Sequence, residues 1–578
     1  MTATAQASIR SWLALAVALS LTAHAQQGKP DTLTSLTAGG WDTGFDPAYC
    51  YSAGCAWILN NTTEALFRHN AEDISVIEPL LVAQMPTVAN GGISKDGRTY
   101  TLKLRPGLKF SDGTPLTAED VAYTFKRMLV YAADAGPSSL LTEPLLGSPD
   151  LVTAKTSFAA IDRAVQAKGK DTVVFNVARP FAPFLSILAF PSFGIMQKAA
   201  AVGAGDWSGT ATDWQKFVGR DVAQSIYAKT GPVGSAPFLI ERYDPEKLVV
   251  LKRNDRYWRT PAKFSRVIVQ NVDDDTTRLQ LLKTGDADMA ERGAIPGALV
   301  PQLSALPNIK VDSIAPNGSL YGLFFTFKLT PSDLTGSGKL DGKGIPANFF
   351  ADKDVRTGFA QAFDYQGYIK EVLQGRAVQT STLNVPGLLG YSKDNPKYTF
   401  DKAKATAAFK KAFGGQVWDK GFTMVVAARA GASERLRMLD VIKRGVESIN
   451  PKFKIEVREM QGSQLNTMLA DHKVPLLSGA WGVDYSDPHN MFQPLIASDG
   501  FYGTHTLYKN AAVDRAIGQA IEETDPAKRA RLYQALGKLA FNDVAMVPVY
   551  SATNVRVQNR WITNRADGDE YYYSIIKK

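Results

Sequence analysis

Tyr100, Leu102 and Leu104 alternate with Thr101, Lys103 and Arg105, the period of two that a half-buried strand imposes. Pro106-Gly107 and Asp112-Gly113-Thr114-Pro115 supply turn chemistry on either side of the following segment. Thr117-Ala-Glu-Asp120 then reads as a capped helix start, a hydroxyl followed three residues on by a carboxylate. Val121, Phe125, Met128 and Leu129 continue along one helical face. Similar spacing predicts helices over 355–373, 433–449 and 526–541, the last behind Asp525 as cap, and strands over 247–251, 422–426 and 453–457. This alternation favours α/β domains. Asp273-Asp274-Asp275 reads as a helix N-terminus whose carboxylates complement the dipole before 276–283, rather than as a metal cluster. Between 329 and 347 the chain turns to Thr, Ser, Gly, Lys and Asp, with Gly336-Ser-Gly338 and Gly342-Lys-Gly344. It is an exposed loop and not a phosphate cradle, because the GxxxxGK[ST] spacing is absent.

The first residues carry a different pattern. Arg10 is followed by an apolar core over 12–21 and by Ala23-His24-Ala25, small residues around a cleavable bond. This is the arrangement of a secretory signal peptide over 1–25, too short to span a bilayer. No cysteine stands near the cleavage region to carry a lipid, and the apolar stretch 181–196 is broken by Pro183 and Pro191. The expectation is a soluble exported protein starting near Gln26, suited to a periplasm.

Composition narrows the function classes. The 578 residues are three or four domains' worth of chain, with 45% apolar and 21% charged residues, as in ordinary globular proteins. Lys and Arg number 65 against 56 for Asp and Glu, and the +9 balance is spread too thinly to mark a nucleic-acid surface. Two cysteines exclude a disulfide scaffold and a four-cysteine zinc site, and five histidines argue against a histidine-rich metal site. In an oxidising compartment Cys50 and Cys55 are candidates for a small disulfide loop. Two buried free thiols are the alternative, since short loops often miss the required geometry. No GxSxG elbow, HExxH helix or paired CxxC occurs, and His489 lies near Asp484 and Asp487 without an activated serine or cysteine. The reading is a protein that is not an enzyme and needs no cofactor or metal.

One run is highly specific: Asp96-Gly97, then Tyr100-Thr101-Leu102-Lys103-Leu104-Arg105-Pro106-Gly107-Leu108-Lys109-Phe110-Ser111-Asp112-Gly113-Thr114-Pro115-Leu116-Thr117-Ala118-Glu119-Asp120-Val121. It resembles the signature of the family 5 extracellular solute-binding proteins, the dipeptide- and oligopeptide-binding group that serves ABC importers. Further elements follow in the family's order: Asp46-Pro47, Thr63-Glu64-Ala65-Leu66, Gly231-Pro-Val-Gly234-Ser-Ala-Pro-Phe238, Arg253-Asn-Asp-Arg-Tyr257-Trp258, Asp354-Val355-Arg356, and Trp481-Gly-Val-Asp484-Tyr-Ser-Asp487-Pro488. Departures are Ser235-Ala236, where the family usually has Thr-Gly, and the long Gly/Lys loop after Leu329. The resemblance implies a two-lobed α/β periplasmic binding protein fold, type II and cluster C-like, with a small extra domain inserted in lobe one. The expected boundaries are 1–25 for the signal, 26–75, 195–312 and 542–578 for lobe one, 76–194 for the insert, and 313–541 for lobe two. The lobes should close by hinge motion around a ligand.

A peptide offers an ammonium at one end and a carboxylate at the other, and a dry cleft must supply an acidic partner for the first and a basic one for the second. Asp484 matches the family's aspartate for the peptide amino group, with Trp481 and Tyr485 as flat apolar walls. Capping the turn before Asp487-Pro488 is its alternative role. Arg429 resembles the carboxylate-binding arginine of the dipeptide-binding members, and an exposed, unrelated arginine is the alternative. The oligopeptide-binding members carry an arginine just upstream of the tryptophan, where this chain has Pro475-Leu-Leu-Ser-Gly-Ala480. Trp41 and Tyr51 are candidates for the lobe-one wall, or else core aromatics. The expected function is a monomeric periplasmic component of an ABC importer that passes short peptides to a membrane permease. Alternatives are the same fold binding a nickel chelate, haem, an opine or a sugar, and, from another class, a secreted peptide hydrolase.

Overall fold

The computed structural model describes residues 30–578 except 42, 71, 72, 74, 134, 135, 246, 315, 317 and 566–570. The signal peptide expected over 1–25 lies outside the described residues. The period-two segment forms the strand Thr99–Lys103, which pairs with Thr172–Asn176, itself paired with Val165–Lys168 in a three-stranded antiparallel sheet. Helix Ala118–Tyr131 covers this sheet with Val121, Phe125, Met128 and Leu129 buried, the Phe125 ring standing edge-on to Phe175 at 5.0 Å. Its start is held by the Asp120 carboxylate, which accepts from the Thr117 backbone N–H at 2.9 Å and from the Thr117 hydroxyl at 2.8 Å.

Two larger sheets form the lobes. Lobe one holds a seven-stranded sheet in the order Ile309–Ile314, Asn554–Asn559, Met289–Ala290, Thr32–Thr37, Arg266–Asn271, Leu248–Arg253 and Phe238–Asp244. Thr32–Thr37 runs parallel to both of its neighbours. Lobe two holds a six-stranded sheet in the order Ala377–Gln379, Val547–Ala552, Ser319–Phe325, Leu476–Gly482, Phe422–Arg429 and Phe453–Met460. The chain passes between the lobes twice, after Ile309–Ile314 and after Val547–Ala552. No helix among the described residues is long and apolar enough to cross a membrane.

Three expectations shift. The segment 542–578 is split, because Val547–Ala552 is an inner strand of lobe two, paired with Ser319–Phe325 and buried along most of its length. The insert is not closed at 194: Ile195, Met196, Trp207, Trp214, Phe217 and Tyr227 pack into the same core as the three-stranded sheet. The helix expected over 355–373 stops at Ala362, where Phe363 turns extended and the Asp364 side chain caps a new turn by accepting from Gly367 N–H at 2.9 Å. Arg356 in that helix is buried and donates to the carbonyls of Phe350, Asp543 and Val544, tying it to the end of helix Pro526–Asp543.

Candidate functional site

The recurring motifs first build the frame. Asp46 receives two bonds from the Arg127 guanidinium, at 2.7 and 2.8 Å, and Arg127 gives its Nε–H to Asp206 at 2.8 Å. All three side chains are fully enclosed. Arg127 holds the Asp46 carboxyl below its ordinary range against the upward push of burial. Glu64 is buried as well and accepts from the Ser235 hydroxyl at 2.8 Å, Tyr257 at 2.7 Å and Trp258 Nε1 at 2.7 Å. Ser235 thus keeps the hydroxyl that Glu64 needs where the family usually has Thr. These two knots lock 46–64 against a third unit, the insert built on the three-stranded sheet, on one side and lobe one on the other.

Between them lies helix Ala53–Thr62, whose first turn is tied to the preceding loop by a disulfide between Cys55 and Cys50, their Cα atoms 5.7 Å apart. The first turn of this helix carries no acidic side chain. It forms one wall of a cavity of about 330 Å³ that all three units border: Tyr51, Ser52, Ala53, Trp57, Arg292 and Tyr571 from lobe one, Phe190 and Pro191 from the third unit, and Val483 through Ser486 from lobe two. Its volume sits at the lower end of the ~300–1,000 Å³ usual for ligand pockets.

Asp484 is held in the wall by one neighbour above all. Its backbone N–H donates to Asn490 Oδ1 at 2.7 Å, and Asn490 Nδ2 donates back to the Asp484 carboxylate at 3.0 Å. Tyr51 borders the cavity from lobe one and favours the charged form of the same carboxylate. Burial pushes the Asp484 carboxyl above its ordinary range, and the bonds from Asn490 and Tyr51 only partly offset this. Both partners are uncharged, so a cation brought by a ligand would meet an anion that its own surroundings leave poorly stabilised. Turn capping falls to Asp487 instead, which accepts from His489 N–H at 2.8 Å and takes both Arg529 guanidinium nitrogens.

Of the residues singled out in the sequence, Tyr51, Asp484 and Tyr485 meet in this cavity. Trp481 stands behind it, its Nε1 donating to Asn490 Oδ1 at 3.3 Å and its ring against Phe501 and Tyr502. Trp41 is a core residue, packed on Phe45 and Tyr243. Arg429 is exposed at the end of its strand, beside Gly462 and outside the cavity lining. The lining also contains Arg292, Trp57, His69 and Phe190, which no local spacing distinguished. No group of three or more His, Cys, Asp or Glu side chains placed to hold a metal exists among the described residues.

Lobe two also touches the third unit away from the cavity. Ala182 N–H donates to the Ile521 carbonyl at 2.9 Å, Arg179 pairs with Glu522 at 3.4 Å, and His489 Nε2 lies 3.9 Å from Glu143.

Two α/β lobes, joined by two crossovers and bordering one cavity, are the architecture of the two-lobed periplasmic binding protein fold. The sequence profile of bacterial extracellular solute-binding proteins, family 5 (middle region) matches residues 79–503, and the chain belongs to that family. It is 26% identical over 471 residues to the probable D,D-dipeptide-binding periplasmic protein DdpA of Escherichia coli, covering 81% of this chain and 79% of the relative. It is 24% identical over 552 residues to di/tripeptide-binding protein 2 of Pseudomonas aeruginosa, covering 93% and 92%. Among solved structures, the periplasmic binding protein DppA of Helicobacter pylori in complex with the peptide STSA superposes with a TM-score of 0.71 at 20% identity, covering 94% of this chain and 98% of that one. The substrate-binding protein CtaP of Listeria monocytogenes gives 0.73 at 17% identity, covering 94% and 99%.

Proposed function

We propose that this protein captures short peptides between its lobes in the periplasm and hands them to the permease of an ABC importer, binding its ligand without turning it over. The observation that carries this reading is the half-buried Asp484 carboxylate, which borders a small interlobe cavity and whose neighbours among the described residues, Tyr51 and Asn490, are neutral. A peptide ammonium is the complement of that group. The relatives named for dipeptides and tripeptides support it. Calorimetric titration with Ala-Xaa dipeptides should give saturable one-to-one binding, with the peptide recovered intact and a lower radius of gyration at saturation in small-angle scattering. Cleaved peptide would point to a hydrolase, and absence of binding across the set would remove the peptide reading.

A further inference from the structure

The core built around the three-stranded sheet takes two of its buried residues from lobe two, Tyr485 and Ile521. Ile521 is fully enclosed there. Its helix, Ala511–Glu522, turns Val513, Ile517 and Ala520 into the core of its own lobe. The next residue, about 100° further round the helix, enters the core of the third unit instead. One helix thus packs on both sides of the seam between lobe two and the third unit.

Polar contacts follow the same seam. Ala182 N–H donates to the Ile521 carbonyl at 2.9 Å, so both the backbone and the side chain of Ile521 cross it. Arg179 donates to Glu143 of its own unit at 2.7 Å and to Glu522 of lobe two at 3.4 Å. The buried His489 ring stands edge-on to Phe181 at 5.8 Å. The fit is incomplete: a cavity of about 440 Å³ lies along the seam, bordered by Glu143 and Arg179 on one side and by His489, Gln493, Asp514 and Ile521 on the other. It shares no lining residue with the cavity that Asp484 borders. A contact interrupted in this way holds less firmly than a continuous core, so the seam can part as well as join.

We propose that this seam is a clasp, centred on Ile521, that holds part of the ligand-free population closed, so that affinity is set in part where the ligand does not reach. Parting the seam returns the Ile521 side chain to water. Fully burying an isoleucine shifts an equilibrium by about 10- to 150-fold, enough to populate the closed form before ligand arrives. A ligand that binds the closed form alone has its apparent Kd raised by the reciprocal of the closed fraction. If the clasp keeps about half of the molecules closed and its loss leaves about one in twenty, the apparent Kd rises about 10-fold. That factor is the same for every ligand, because Ile521 does not line the cavity that Asp484 borders.

The test compares the parent with Ile521→Ser, which removes the buried side chain, and Glu522→Arg, which sets a like charge against Arg179 at an exposed edge of the seam. Without ligand, both variants should show a larger radius of gyration in small-angle scattering than the parent, and faster hydrogen exchange at the Ala182 amide. Ala-Xaa dipeptides titrated in free, C-amidated and N-acetylated forms should weaken by one common factor in each variant, about 10-fold for Ile521→Ser. Variants that melt like the parent, with its ligand-free radius and its Ala182 exchange, overturn the clasp. A loss confined to one ligand form also overturns it, because it would make Ile521 a ligand contact. If Ile521→Ser does not fold, Glu522→Arg decides by the same readouts. Scattering and exchange need no ligand, so they decide the clasp even where no dipeptide binds and the peptide reading fails.

Discussion

Replacing Asp484 by Asn isolates one charge. Asn at 484 keeps an oxygen for Asn490 and Tyr51 and leaves the backbone bond to Asn490 untouched, so the loop should hold its shape. What disappears is the partner of the peptide ammonium. Two unit charges ~4 Å apart attract by about 4 kcal/mol at an effective dielectric of ~20. Asp484 is only half-buried by surface exposure. The expected cost is therefore about 2–4 kcal/mol, roughly 30- to 1,000-fold in Kd. A carboxylate that merely decorates a surface turn would cost under ~1 kcal/mol. Calorimetry with free and N-acetylated forms of the same dipeptide separates the two. The parent should prefer the free amine by a similar factor, and Asp484→Asn should hardly distinguish the forms. Both proteins must melt alike, so that a lost fold is not read as lost recognition. Equal binding of both forms by the parent would refute the ammonium pairing and weaken the peptide reading with it.

The same carboxylate sets a pH dependence. Burial raises its pKa in the free protein, whereas an ammonium partner lowers it, so binding releases a proton and affinity climbs as pH rises through the free protein's value. Free-amine peptides should lose affinity on acidification before an ordinary aspartate would protonate, and a profile that stays flat down to the ordinary range contradicts this. Arg127→Met leaves Asp46 and Asp206 enclosed without their cation and should cost about 3–5 kcal/mol, seen as a large drop in the thermal midpoint; a shift of a degree or two would show that the pair carries little. Removing the short disulfide loop by Cys50→Ser with Cys55→Ser should cost about 2 kcal/mol on loop entropy alone, and unreduced periplasmic protein should show no free thiol under denaturation.

Periodicity located the strands at Thr99–Lys103 and Phe453–Met460 and the helix Ala118–Tyr131, because each buries one face against a neighbouring layer and so obeys the simple period. It failed at 363, where the hydrophobic spacing continues but the Asp364 side chain bonds its own backbone and restarts the turn. The assignment of Val547–Ala552 to lobe two depends on which strand it pairs with, and pairing partners leave no local trace. Asp484 was visible through its motif, and Tyr51 through its place beside the cysteines. An aromatic side chain reads the same in a core as in a pocket, so spacing alone did not separate Trp41, packed in the lobe-one core, from Tyr51 in the cavity lining. Arg292 was invisible for a related reason: it enters the cavity through the order of strands in the lobe-one sheet, not through any spacing near it.

The most direct test of peptide capture is to ask what the protein already holds. Protein recovered from a periplasm without unfolding, denatured under mass spectrometry, should release short peptides. Release instead of a haem, a nickel chelate, an opine or a sugar would contradict the account.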